Sequence, residues 1–182
     1  MPSLVGSEMC IRDRPNSGQA SCLDADAGYY VIDDSWTESA HNGFGQTIAT
    51  GQKITCVILD DGSVSCWGDN SDGQLGDGTN TDRNTPSQTS SLGIDRTAVA
   101  ITAGYLQTCV ILDDGSVSCW GQNAAGQLGD GTGTNRNTPT QTSSLGIDRT
   151  AVAIAAGGSH TCTILDDGSV SCWGYNAYGQ LG

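Results

Sequence analysis

Three near-copies of one unit, stepping by 53 residues, dominate the chain and leave little choice of architecture. Cys56, Cys109 and Cys162 keep that step, as do Cys66, Cys119 and Cys172, and Trp67, Trp120 and Trp173. Residues 56–108 and 109–161 are identical at 43 of 53 positions, so both copies must solve one packing problem in one way. Ile48, Ile101 and Ile154 also align, which starts the unit near residue 48. The third copy stops at Gln180-Leu181-Gly182 and is expected to be cut mid-repeat. A unit of this size does not bury its faces alone, and stacking on neighbours gives it a continuous core.

Each unit reads as β structure. Thr55–Leu59 and Ser63–Trp67 are short runs rich in β-branched residues and Cys, separated by Asp60-Asp61-Gly62. A three-residue hairpin loop needs a left-handed residue at its end, and Gly62 takes that conformation without a Cβ penalty. Ala98–Ile101 is a further strand, and Thr85–Thr89 an outer edge strand, where Pro86 is tolerated. Residues 76–86 are rich in Gly, Asn and Asp and read as a connecting loop. Four short antiparallel strands per 53 residues make a blade, so the expected fold is all-β: an open, partial β-propeller of about two and a half blades over residues 48–182. With 26 glycines in 182 residues, frequent turns follow.

If the hairpin pairs about Asp61, Cys56 faces Cys66 on the side that carries Ile58 and Val64. Val57, Leu59, Ser65 and Trp67 then share the other side. Opposed side chains of this kind come within bridging distance, so the expected disulfides are Cys56–Cys66, Cys109–Cys119 and Cys162–Cys172. Buried free thiols and metal ligands are the competing readings. A C-x9-C spacing lacks the close ligand spacing of structural zinc sites, and no nearby His completes a set. Three copies of a pairable spacing point to an oxidising compartment, extracellular or at the cell surface.

The runs Gly157-Gly158-Ser159-His160-Thr161-Cys162, Asp167-Gly168-Ser169-Val170 and Trp173-Gly174-Tyr175-Asn176-Ala177-Tyr178-Gly179-Gln180-Leu181-Gly182 resemble the repeat of the regulator of chromosome condensation family. The last of these recurs at Trp120–Gly131 and Trp67–Gly78. The resemblance implies a propeller of about seven blades in a complete member and a role as an interaction platform. It also brings two alternatives: guanine-nucleotide exchange on a small GTPase, as in the founding eukaryotic member, and inhibition of an enzyme by a secreted protein. The motif His is His160 in the third copy but Gln107 and Ile54 in the others.

The segment before the repeats differs. Residues 3–14, SLVGSEMCIRDR, are similar to a translated sequencing-library adapter, so residues 1–14 are set aside as an assembly artefact. Residues 15–30 resemble the tail of an ephrin-receptor-like Cys-rich repeat, with Cys22 expected to lack its partner, and 31–47 read as a linker.

Charge and motif arguments then exclude whole classes. The net charge is −13 and Lys53 is the single lysine, so no basic footprint exists for nucleic acid. No apolar run reaches the roughly 18 residues of a membrane span. The Asp-Asp-Gly triplets at 60–62, 113–115 and 166–168 read as turn carboxylates rather than metal ligands. The stretch 69–73 lacks the alternating ligands of a calcium loop, since Asp69 and Asp72 become Gln122 and Ala125. His41 and His160 have no repeated nucleophile beside them, and the Gly-Gln-Leu-Gly-Asp-Gly runs lack the Lys of a phosphate loop. No catalytic, metal or cofactor residue is expected, and the three repeating Trp read as blade core.

A protein-binding surface is expected where otherwise near-identical repeats differ. These positions are Asp69/Gln122/Tyr175, Asp72/Ala125/Tyr178, and the pairs Lys53-Ile54, Leu106-Gln107 and Ser159-His160. Scaffold positions meet the same geometry in every blade, whereas a ligand surface need not repeat. Neutral drift at exposed sites is the competing explanation.

Overall fold

The computed structural model describes residues 47–182. Cys22, His41 and the segments expected as artefact, Cys-rich remnant and most of the linker lie outside them. The described residues are all strand, turn and loop. Their order is β1 (Ile48–Thr50), β2 (Ile54–Ile58), β3 (Val64–Gly68), β4 (Arg83–Gln88), β5 (Ala98–Ala103), β6 (Gln107–Leu112), β7 (Val117–Gly121), β8 (Arg136–Gln141), β9 (Ala151–Ala156), β10 (His160–Leu165) and β11 (Val170–Gly174). They form two four-stranded antiparallel meanders, β1–β4 and β5–β8, and a three-stranded one, β9–β11. These are successive propeller blades in an open arc.

The hairpin register is the one the cysteine spacing requires. Cys56 pairs with Cys66, Val57 with Ser65 and Ile58 with Val64, and the second and third copies repeat this. Gly62 closes the turn with φ of 76°, its N–H donating to Leu59 O at 2.8 Å. Asp61 Oδ1 accepts the Ser63 N–H at 2.9 Å, so the second turn carboxylate holds the loop from the side. Pro86 falls between the pairs Cys66–Ser87 and Gly68–Arg83, where the outer ladder is already interrupted and loses no bond to the missing N–H. Disulfides join Cys56 to Cys66, Cys109 to Cys119 and Cys162 to Cys172.

Alternation in the strands gives each blade two apolar faces. Cys56, Ile58, Val64, Cys66 and Leu75 of the first blade meet Ile101, Val110, Leu112 and Trp120 of the second in one core. Cys109, Ile111, Val117, Cys119 and Leu128 meet Ala151, Ile154 and Trp173 in the next. The disulfide face of the first blade is therefore covered by the tryptophan face of the second, and that of the second by the third. Two polar bonds fix each junction: Thr108 Oγ1 and Trp120 Nε1 both donate to Gln74 O at 2.9 Å. Thr161 and Trp173 repeat this on Gln127 O at 3.0 Å. Gly76, with φ of 70°, lies under the Trp120 ring, and a Cβ there would sit 2.7 Å from Nε1. That close approach explains a glycine in the Gln-Leu-Gly turn.

Candidate functional site

Two sets of loops meet at the same end of every blade. The short β1–β2, β5–β6 and β9–β10 connections lie beside the segments that follow β3, β7 and β11. Backbone bonds tie them together: Asp69 N to Lys53 O at 3.1 Å, Gln122 N to Leu106 O at 2.8 Å, and Tyr175 N to Ser159 O at 2.8 Å. The two groups of varying positions are thus brought to a common end.

A buried amide organises each long loop. Asn70 is fully buried; its Nδ2 reaches Asp77 Oδ1 at 3.1 Å and Thr79 O at 3.0 Å, while its Oδ1 accepts the Leu75 N–H at 3.0 Å. Asn123 repeats the pattern with Asp130 at 2.9 Å, Thr132 and Leu128. Gln74 and Gln127, also buried, accept the N–H groups of Asp72 and Ala125 at 2.9 Å through Oε1. Sequence reasoning passed over these four amides. Their signal was present: Asn and Gln recur unchanged beside the varying positions, as Asn176 and Gln180 also do.

The loops close on ion pairs, Arg83–Asp77 at 2.7 Å and Arg136–Asp130 at 2.8 Å. Burial pushes the Asp130 carboxyl up, but bonds from Thr132, Arg136 and Asn123 outweigh it and hold the pKa at about 2. An acid held below its unfolded value adds stability that is complete above that value and is lost as pH falls through the folded one. Asp130 should therefore contribute about 2 kcal/mol at neutral pH, fading from about pH 5 towards pH 2. Urea melts of wild type and Asp130→Asn across pH 6 to 2.5 check this. The variant should lose that part of the acid slope, and identical slopes would refute it.

The varying side chains divide by burial. Asp69 is pinned: Oδ1 accepts the Ser71 N–H at 2.9 Å and Gln74 Nε2 at 3.1 Å, and Oδ2 pairs with Lys53 Nζ at 3.3 Å. Asp72 Oδ1 accepts Asn135 Nδ2 at 2.7 Å, bridging the first and second blades. Gln122 Oε1 accepts Gln127 Nε2 at 3.2 Å. Tyr175 and Tyr178 are 43% and 89% exposed and meet edge to face at 6.2 Å. Tyr105, half exposed, accepts Gln52 Nε2 at 2.6 Å through its hydroxyl.

Gln107 is different. Its side chain is fully buried at the second junction, with Nε2 donating to Gly157 O at 3.2 Å and His160 O at 3.4 Å. Ile54 is buried at the first junction. The motif position thus faces the next blade, and Gln107 offers no side chain at the surface. The His160 ring is half-buried and lies over Gly157.

The Asp-Asp-Gly turns sit at the opposite end of the blades. Arg96 pairs with Asp113 at 3.1 Å and Asp114 at 3.2 Å, and Arg149 with Asp166 at 3.4 Å and Asp167 at 3.3 Å. These carboxylates serve turn and blade-connection geometry. The three repeating tryptophans, Trp67, Trp120 and Trp173, stand in the blades' strands, and Trp120 is wholly buried.

Comparison with known proteins agrees with this architecture. A profile of the regulator of chromosome condensation (RCC1) repeat matches residues 61–111 and 114–164, and a second profile of that repeat matches 46–74, 98–127 and 151–180. The chain is 34% identical over 136 residues to the ultraviolet-B receptor UVR8 of Arabidopsis thaliana, covering 74% of this chain and 30% of that protein. It is 38% identical over 181 residues to the probable E3 ubiquitin-protein ligase HERC4 of Homo sapiens, covering 98% of this chain and 15% of that one. The chain thus spans under a third of the length of these relatives. Among solved structures, yeast RCC1 (Prp20) bound to Kap60 superposes with a TM-score of 0.64 at 24% identity, over 74% of this chain and 32% of that one. Human WBSCR16 gives 0.65 at 24% identity, over 74% and 34%. With its profile matches, its blade stacking and its repeated Trp-Gly-x-Asn turns together, the chain belongs to the regulator of chromosome condensation (RCC1) repeat family.

Proposed function

We propose that this chain is a non-enzymatic protein-interaction module of a secreted or cell-surface protein, and that its contact surface is the end bearing Tyr175 and Tyr178. The observation that carries this reading is the exposed tyrosine pair. It occupies loop positions where the first two blades hold internally bonded Asp69 and Gln122, and two amide bonds of that loop recur there, Gln180 Oε1 accepting the Tyr178 N–H and Asn176 Oδ1 the Leu181 N–H, both at 3.0 Å. Exposed aromatics supply large contact area at low entropic cost. Binding of protein partners accords with the family: yeast RCC1 (Prp20) is solved with Kap60, and Prp20p is described with Gsp1p and histones. The three disulfides favour an oxidising compartment over that of an intracellular exchange factor.

The test exchanges the pair for the second blade's residues, Tyr175→Gln with Tyr178→Ala, and measures affinity for a partner captured from extracellular extract. Loss of about 2 kcal/mol, roughly 30-fold in Kd, is expected. Unchanged affinity with intact far-UV circular dichroism would leave the variation as drift.

A further inference from the structure

The Asp-Asp-Gly end of the blades carries an apolar side chain that blade packing does not use. Ile94 is 90% exposed and Ile147 is 89%. Each sits in a connection of the same sequence, Ser-Leu-Gly-Ile-Asp-Arg, which runs from the last strand of one blade to the first of the next, β4 to β5 and β8 to β9. The leucines of these connections, Leu92 and Leu145, pack inward against the two junction cores. The isoleucines two residues on turn outward.

That outward position is held from both sides. Gly93 N–H donates to Ser91 Oγ at 3.1 Å, and Thr97 N–H to Asp113 Oδ1 at 3.3 Å. Asp95 and Asp148, with φ of 55°, are the non-glycine residues in the left-handed region among the described residues. Arg96 ties its loop to Asp113 and Asp114 of the second blade, and Arg149 ties the next to Asp166 and Asp167 of the third. Ile94 lies between two four-stranded blades. A further blade adds neighbours to the face of a blade, not to the tip of this connection, so the exposure is the same in an arc and in a ring.

Charge states what such a tip can meet. The three Asp-Asp-Gly turns with Asp95 and Asp148 bring eight carboxylates to this end against two arginines, and both arginines are already paired. A surface of this sign repels an anionic bilayer and draws in a cationic partner. Apolar anchors within a charged rim have the anatomy of a protein interface. We infer that the Asp-Asp-Gly end is a second interaction surface, opposite the tyrosines, for a basic amphipathic protein segment. Its apolar side chains cover Ile94 and Ile147, and its lysines or arginines face the exposed carboxylates of Asp60, Asp95 and Asp148.

The experiment is fluorescence anisotropy of a labelled amphipathic helical peptide of leucine and lysine with the full 182-residue, disulfide-intact chain. The comparison peptide has the same length and charge, with alanine for leucine. Wild type should bind the leucine peptide at least about tenfold more tightly, and both should weaken as salt rises from about 50 to 300 mM. Ile94→Ser with Ile147→Ser should bring that preference down to about twofold or less and leave the salt-dependent part. Asp95→Asn with Asp148→Asn keeps a residue that accepts the left-handed backbone, and should weaken both peptides alike, by about threefold to tenfold. Both pairs are exposed, so circular dichroism should match wild type; Ile94→Thr with Ile147→Thr replaces the serine pair if it does not.

A wild type without preference for the leucine peptide overturns the proposal. So does a preference that the serine pair retains, which puts the apolar contact elsewhere, or an asparagine pair that binds both peptides as wild type does. Co-sedimentation of wild type with neutral phosphatidylcholine vesicles, lost in the serine pair, would make the tips a lipid anchor and overturn it as well.

Discussion

Replacing Trp120 with alanine is expected to lower the unfolding free energy by about 3–5 kcal/mol, a large fraction of the stability of an ordinary domain. Three losses coincide at this residue. The ring is fully buried in the first junction core, its Nε1 bond to Gln74 O disappears, and Gly76 loses the surface it packs on. Its neighbours are rigid strands and a tight turn, so collapse into the cavity is limited and the cost lies towards the upper end of that range. Trp67→Ala provides the internal comparison. Trp67 is only half-buried, so its loss should be the smaller by at least about 1 kcal/mol. Urea titration followed by circular dichroism measures both. Equal costs would mean that the tryptophans stabilise within their own blades rather than across junctions.

The blade was legible because strand, turn and register all follow from local rules that the sequence states three times. Cys56 opposite Cys66, the left-handed Gly62 and the edge position of Pro86 each needed only neighbours within one hairpin or one blade. The junctions were harder, because they join residues one repeat apart whose neighbourhood depends on how blades stack. Gln107 illustrates the difficulty. It varies between copies like a surface residue, yet its variation accommodates the carbonyls of the following blade, Gly157 O and His160 O. Asn70 and Gln74 were hidden for the opposite reason. Polar residues in a Gly-rich run read as solvated loop, and only the fold shows that they replace the backbone bonds such a loop would otherwise lack. Variation within the repeats therefore marked junction and surface together, and only burial separates Gln107 from Tyr178.

Removing the disulfides one pair at a time should separate loop closure from packing. All three pairs span ten residues, so the chain-entropy contribution, about 3 kcal/mol each, is common to them. Burial is not. Cys109 and Cys119 are fully buried in the second junction, whereas Cys162 and Cys172 are only half-buried in the third blade. Cys109→Ala with Cys119→Ala should therefore cost about 4–5 kcal/mol, loop closure plus lost core contact, and Cys162→Ala with Cys172→Ala about 3 kcal/mol, close to loop closure alone. Double substitution avoids leaving a lone thiol to mispair. Denaturant midpoints of the two variants at fixed protein concentration give the comparison, with non-reducing peptide maps confirming that the remaining pairs stay within their repeats. Equal losses would show that the sulfurs add nothing to the junction beyond closing the hairpin. Free thiols at all six positions in secreted material would remove both the expected stability loss and the ground for an oxidising compartment.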